Sequence, residues 1–142
     1  MIETTVIFGN CEPMSPTQSE SKPAILVIDD EPDILDVVKT CLEQEGYSVH
    51  SAAKPSEGIK LYEQHWRHID LVLLDYLMPD MTGDLVYECL RDVNPDVKVI
   101  LLTGCDDNVA KRMFEAGLRG YIQKPFFLGD LVSRVRDEID AS

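Results

Sequence analysis

The sequence predicts an α/β domain built on an open parallel sheet with helices on both faces, and three observations carry that prediction. Short apolar runs alternate with helical segments in five successive units from Lys22 onward. Runs such as Ala24–Ile28 and Leu71–Leu74 are apolar throughout rather than alternating, which is the pattern of strands buried on both faces. Polar residues stand where the runs end: Asp29 and Asp30, Asp75, Thr103 and Lys124. In sheets of this kind ligands bind outside the carboxyl ends of the strands, so these five side chains are the candidate site.

Each element has its own local reason. The first strand, Ala24–Ile28, leads to a helix that begins near Pro32 and carries Ile34, Leu35, Val38 and Leu42 on one face. That helix stops at Gly46, which accepts the left-handed conformation a helix end requires. The second strand, Tyr47 to Ser51, alternates apolar and polar residues and is placed at the sheet edge. The second helix follows Pro55, with Ile59, Tyr62 and Trp66 expected inward. The third strand ends at Asp75, and the third helix, from about Thr82 to the residues before Asn94-Pro95, is expected to bury Leu85, Val86, Cys89 and Leu90. The fourth strand, Val97 to Leu102, ends in Thr103 and precedes a helix over Asp106–Ala116 with Val109, Ala110, Met113 and Phe114 inward. The fifth strand, Gly120–Gln123, ends in Lys124, and the last helix, from Leu128, places Leu131, Val132, Val135 and Ile139 at helical spacing.

Composition bounds the function. A chain of 142 residues that is 44% hydrophobic fits one domain, which buries roughly two thirds of the surface its unfolded chain exposes. Residues 1–22 read as a flexible tail or linker, with Pro13 and Pro16 among Ser, Thr, Gln and Glu. Its short apolar stretch Thr4–Phe8 also fits the end of a preceding domain. Residues 23–142 form the folded domain. A formal net charge of −13 without a Lys/Arg stripe argues against direct nucleic-acid binding. No apolar run approaches the ~20 residues of a membrane span, and the start lacks a signal peptide's pattern, so a cytoplasmic location is expected. Cys11, Cys41, Cys89 and Cys105 lie far apart, without paired zinc spacing, and are read as reduced thiols that mostly pack.

The carboxylates point to phosphoryl transfer. Two of them ~4 Å apart repel by roughly 4 kcal/mol at an effective dielectric near 20, so a cluster of three calls for a cation or protons. An all-oxygen set without His or Cys favours a hard ion held by few carboxylates plus water, which is the habit of Mg²⁺. A carboxylate is also a nucleophile that forms an aspartyl-phosphate, and Asp75, alone at the end of a buried central run, is the best candidate. Lys124 and Thr103 would neutralise the oxygens of the transferred group. A single Asp at a strand end is usually a helix cap or loop residue, but this ordered combination is much rarer. His65 and His68, three residues apart, have a spacing that binds metal, yet no third ligand is evident and they are read as solvated polar residues.

At these residues the chain resembles the receiver domain of two-component response regulators over residues 23 to 140. The matching stretches are Ile25–Pro32, Leu73–Gly83, Val99–Gly104 and Gly120–Phe126. The resemblance implies a chemotaxis-regulator-like, flavodoxin-like fold with strand order 2-1-3-4-5. It implies phosphorylation of Asp75 by a phosphohistidine donor, a histidine kinase or histidine phosphotransfer protein. It implies Mg²⁺ held by Asp29, Asp30, Asp75 and the backbone carbonyl of Leu77, with Asp29 often acting through water. It also implies a switch in which Thr103 turns toward the phosphoryl group and Tyr121 moves inward, altering the output surface of the fourth helix, fifth strand and fifth helix. Tyr121 without that resemblance reads as a half-buried strand aromatic, and Lys124-Pro125 resembles the family's cis peptide. Leu77 and Cys105 occupy positions that in this family help place the hydrolytic water. Neither orients water well, so a comparatively long-lived aspartyl-phosphate is expected.

Such a domain is a switch more than an enzyme, catalysing only its own phosphorylation and dephosphorylation. A magnesium-dependent phosphohydrolase of the haloacid-dehalogenase type uses a similar set, but it needs nucleophile and acid two residues apart after the first strand. Here the second residue after Asp29 is Glu31. A receiver-like adaptor that binds without phosphorylation is opposed by the intact Asp75, Thr103 and Lys124. Output is expected through protein contacts, in a stand-alone regulator, a relay intermediate or the receiver of a hybrid histidine kinase.

Overall fold

The computed structural model describes residues 22–104 and 107–141. The expected tail over residues 1–22, apart from Lys22, lies outside the described residues, as do Cys11 and Cys105. Along the chain run β1 (Ala24–Ile28), α1 (Pro32–Gln44), β2 (Ser48–Ala52), α2 (Pro55–His65), a 3-10 turn (Trp66–His68), β3 (Leu71–Asp75), α3 (Gly83–Val93), β4 (Val99–Thr103), α4 (Asp107–Glu115), β5 (Gly120–Gln123) and α5 (Leu128–Asp140). The strands are parallel in the order β2-β1-β3-β4-β5, with β2 at one edge as its alternating sequence predicts. Strand order reverses between β1 and β3, where the acidic residues end their strands.

Alternate residues of each strand feed two core layers, as the period of two dictates. Leu26, Ile28, Val72, Leu74 and Leu101 pack with Tyr62 of α2, Val86 and Leu90 of α3 and Met113 of α4. Ile25, Val27, Leu73, Ile100 and Leu102 pack on the other face with Leu35, Val38 and Leu42 of α1 and with Leu131 and Val135 of α5. Each fully buried Leu, Ile or Val contributes about 1.5–3 kcal/mol, so these two layers dominate the stability of the sheet. Proline opens α1 and α2, where its missing N–H costs nothing. Gly46 ends α1 at φ +97°, and Tyr47 N–H donates to the Leu42 carbonyl. Among the described residues no helix is long and apolar enough to cross a membrane.

Three helix faces differ from expectation. On α3 the buried residues are Gly83, Val86, Tyr87 and Leu90, while Leu85 is 49% exposed. The i, i+3, i+4, i+7 face is therefore rotated toward Tyr87, whose ring is apolar although its hydroxyl reads as polar. Phe114 of α4 is also exposed, because it turns away from the core toward Tyr121 on β5. On α5 the buried face extends to Glu138, a charged residue that the apolar spacing does not reveal.

Candidate functional site

Three carboxylates meet at the carboxyl ends of β1 and β3. Asp29, Asp30 and Asp75 each offer an oxygen within 4.8 Å of the others. Register explains the meeting: Ile28 pairs with Leu74, so the next residues of the two strands, Asp29 and Asp75, leave the sheet at the same level. Asp29 and Asp75 are buried, and Asp30 is partly exposed. Thr103 ends β4 beside them and is buried as well. Leu77 follows in the loop after β3 with its side chain 59% exposed.

Lys124 comes from the end of β5 and reaches across the cluster. Its ammonium lies 2.8 Å from Asp29 Oδ2, 3.0 Å from Glu31 Oε1 and 3.3 Å from Asp75 Oδ1. The Lys124-Pro125 peptide is cis, as the family resemblance implied. Asp29 is held at both oxygens, since its Oδ1 accepts the Glu31 backbone N–H at 3.0 Å. Glu31 had no assigned role from sequence. Its signal was proximity, because the residue after Asp29-Asp30 must share their loop.

The electrostatics follow from that packing. Burial pushes the Asp75 carboxyl up to about 7, the negative charge of Asp29 adds to the rise, and Lys124 opposes it. Burial works against the Lys124 ammonium, yet its hydrogen bonds to Asp29 and Glu31 outweigh that and raise its pKa above the ordinary lysine value. A carboxyl that resists ionisation beside a firmly charged lysine is a group that gains from an added cation.

The loop after β3 is fixed by α3. Gly83 N–H donates to the Tyr76 carbonyl at 2.7 Å, which brings the start of α3 against the Asp75 backbone. A Cβ at residue 83 would lie 2.9 Å from both the Asp75 carbonyl oxygen and Tyr76 Cα. Glycine is therefore required there by space.

Two surfaces flank the cluster. Between α1 and the start of α5 runs an apolar groove of about 440 Å³, floored by Ile34, Val37, Val38, Pro125, Phe126 and Leu128, with Glu31 and Lys124 at its rim. The neighbouring Phe127 is 81% exposed. On the α4–β5 side, Phe114 and Tyr121 form an exposed edge-to-face pair with centroids 6.0 Å apart. Among the described residues, neither His65 nor His68 joins a group of three or more side chains that could hold a metal ion. His65 instead stacks on His50 of β2 with ring centroids 5.0 Å apart.

Comparison with known proteins agrees with this geometry. The family model described as response regulator receiver domain matches residues 25–136. The chain is 36% identical over 115 residues to TcrX of Mycobacterium tuberculosis, a probable transcriptional regulatory protein, which covers 79% of this chain and 47% of that protein. It is 29% identical over 125 residues to the sensor kinase CckA of Brucella abortus, 87% of this chain and 13% of the kinase. The chain thus spans about half the length, or less, of these curated relatives. Among solved structures, a CheY-like response regulator receiver domain protein from Methanospirillum hungatei superposes with a TM-score of 0.80 at 34% identity, covering 85% of this chain and 96% of that one. The parallel sheet in the order 2-1-3-4-5, the acidic cluster at its switch point and the family match over most of the chain lead to one assignment: this chain belongs to the receiver domains of two-component response regulators.

Proposed function

We propose that Asp75 is the phosphoacceptor of this receiver and that phosphorylation switches its protein contacts. The observation that carries the reading is the position of Lys124, 3.3 Å from the Asp75 carboxylate while anchored on Asp29 and Glu31. A carboxylate oxygen of Asp75 attacks the phosphorus of a phosphohistidine, the P–N bond breaks, and the imidazole nitrogen leaves with the electron pair and takes a proton. Lys124 and Thr103 bind oxygens of the product phosphoryl group. Asp29, Asp30 and Asp75, with the Leu77 carbonyl, are the residues that would hold Mg²⁺. The ion supplies charge neutralisation for the acceptor and the incoming phosphoryl oxygens. Both Asp29 oxygens already accept protein hydrogen bonds, which supports direct ligation by Asp30 and Asp75 and a role for Asp29 through water.

The groove between α1 and α5 is the large apolar surface that shares Glu31 and Lys124 with the site, and we place the phosphohistidine donor there. The exposed Phe114–Tyr121 pair supports an output face on α4, β5 and α5. In this switch Thr103 moves toward the phosphoryl group and Tyr121 moves inward, so phosphorylation shifts the population between two packings. A cytoplasmic setting fits the free thiols Cys41 and Cys89.

Incubation with a small phosphoryl donor such as phosphoramidate and Mg²⁺ should label the protein with one acid-labile, hydroxylamine-sensitive acyl phosphate. The label should vanish in Asp75→Asn. Labelling that survives the substitution would refute the assignment.

A further inference from the structure

The opposite end of the sheet carries a second cavity, of about 500 Å³, lined by Lys22, Ser48, His50, Arg67, His68 and Asp70 along with Pro23 and Ala24. It lies at the amino ends of β1 and β2, and a five-residue strand spans about 15 Å. The phosphoacceptor cluster at the carboxyl ends is therefore separate from it. Its charge runs against that of the whole chain. Thirteen Lys and Arg stand against 26 Asp and Glu overall, yet this cavity gathers Lys22, Arg67 and two histidines with one carboxylate. That carboxylate is already engaged, since Asp70 Oδ2 accepts the Ala24 N–H at 2.8 Å.

The basic groups are also arranged in advance. Arg67 Cζ sits 4.8 Å over the Trp66 ring, a stacking that fixes the guanidinium plane and leaves its N–H edge for hydrogen bonds. His50 is braced from behind by the stacked ring of His65. Ser48 adds a hydroxyl at the first position of β2. An arginine fork, an ammonium, two imidazoles and a hydroxyl around one concavity are the donors that bind a phosphate dianion.

We propose that this cavity is a binding site for a phosphate-bearing small anion. The bound anion would add negative charge next to His50, whose proton affinity is otherwise lowered by burial and by the adjoining His65. The titratable groups that stack on His50 or line the cavity with it are His65 of α2, Arg67 and His68 of the 3-10 turn, Lys22 before β1 and Asp70 before β3. Of these only Asp70 is acidic, so binding of an anion weakens with ionic strength.

The test is a titration of the whole chain with sodium phosphate in Mg²⁺-free buffer, with sodium chloride at matched ionic strength as control, followed by amide and histidine-ring NMR. The expected result is saturable shifts at Lys22, Ser48, His50, Arg67 and His68 with a dissociation constant of about 1 mM. The His50 protonation midpoint should rise by about one unit when phosphate is bound. The surface double variant Arg67→Gln, His68→Gln should weaken binding at least tenfold while keeping amide dispersion and the rate of Asp75 labelling unchanged. Adenosine monophosphate as a second probe separates the sources: tighter binding than inorganic phosphate assigns a nucleotide-sized ligand, and equal binding assigns the free ion. Shifts that chloride reproduces, no saturation by about 10 mM, or binding unaltered in the double variant would each overturn the site.

Discussion

Lys124 Nζ stands 2.8 Å from Asp29 Oδ2 and only 3.3 Å from Asp75 Oδ1, so one ammonium offsets part of the repulsion between these two carboxylates. Its side chain is largely buried, and removing one partner of a buried pair leaves uncompensated charge. Lys124→Met should therefore lower stability by about 2–4 kcal/mol in metal-free buffer. Saturating Mg²⁺ supplies the missing positive charge and should return part of that loss. Urea unfolding with and without Mg²⁺ measures both quantities, and an identical loss in the two buffers would contradict the shared role of lysine and metal.

Gly83 sets the acceptor loop against α3. Backbone atoms at 2.9 Å from its virtual Cβ have no flexible end to give way, so Gly83→Ala should cost about 1–3 kcal/mol through overpacking. It should also slow Asp75 labelling by displacing the loop. Gly129, in the first turn of α5, has nothing within 4 Å of its virtual Cβ. Gly129→Ala should thus stabilise by up to about 1 kcal/mol from helix propensity alone. Thermal unfolding of the two variants should move in opposite directions.

Glu138 is buried on α5 between Arg119 Nε at 2.7 Å and Arg134 Nη1 at 3.1 Å, while Arg134 Nη2 also donates to the Arg119 carbonyl at 2.8 Å. Burial opposes ionisation of Glu138, but the hydrogen bonds from Arg119 and Arg134 prevail and hold its pKa below the ordinary glutamate value. A carboxyl with a depressed folded pKa stabilises above its unfolded value and loses that contribution as pH falls through the folded value. Glu138→Gln should cost about 1.5–3 kcal/mol at neutral pH. The gap between variant and parent should shrink below about pH 4.5. A gap that is constant from pH 7 to pH 3 would contradict the ion-pair account.

The legible parts of this molecule share a physical cause. Strands buried on both faces must be continuously apolar, so Ala24–Ile28 and Leu71–Leu74 declared both themselves and the level at which Asp29 and Asp75 emerge. The helix phases were harder where apolar residues come in adjacent pairs. Leu85-Val86 offers two faces, and only packing of Tyr87 against the end of α4, where its hydroxyl lies 3.5 Å from the Ala116 carbonyl, decides between them. Glu31 and Glu138 were illegible as ion-pair partners because the cations they bind, Lys124 and Arg119, are set by tertiary contacts that no local periodicity encodes.

The lifetime of the proposed switch would depend on how water reaches the phosphoryl group. Leu77, two residues beyond the acceptor, has a largely exposed side chain with no polar atom to orient a nucleophilic water. If Asp75 carries the phosphoryl group as proposed, its hydrolysis then proceeds with a less ordered water, at a cost in effective concentration. Leu77→Asn places an amide donor and acceptor at the same position without touching Asp75, Thr103 or Lys124. Dephosphorylation should accelerate by roughly tenfold, the effect of about 1.4 kcal/mol in barrier height. Phosphorylation from a small donor should change much less, because attack by Asp75 needs no water. Following loss of the label after donor removal measures the first rate, and initial labelling measures the second. A half-life unaltered in Leu77→Asn would show that the exposed leucine does not govern water access, and the control would then have to lie with groups on the α4 side of the site.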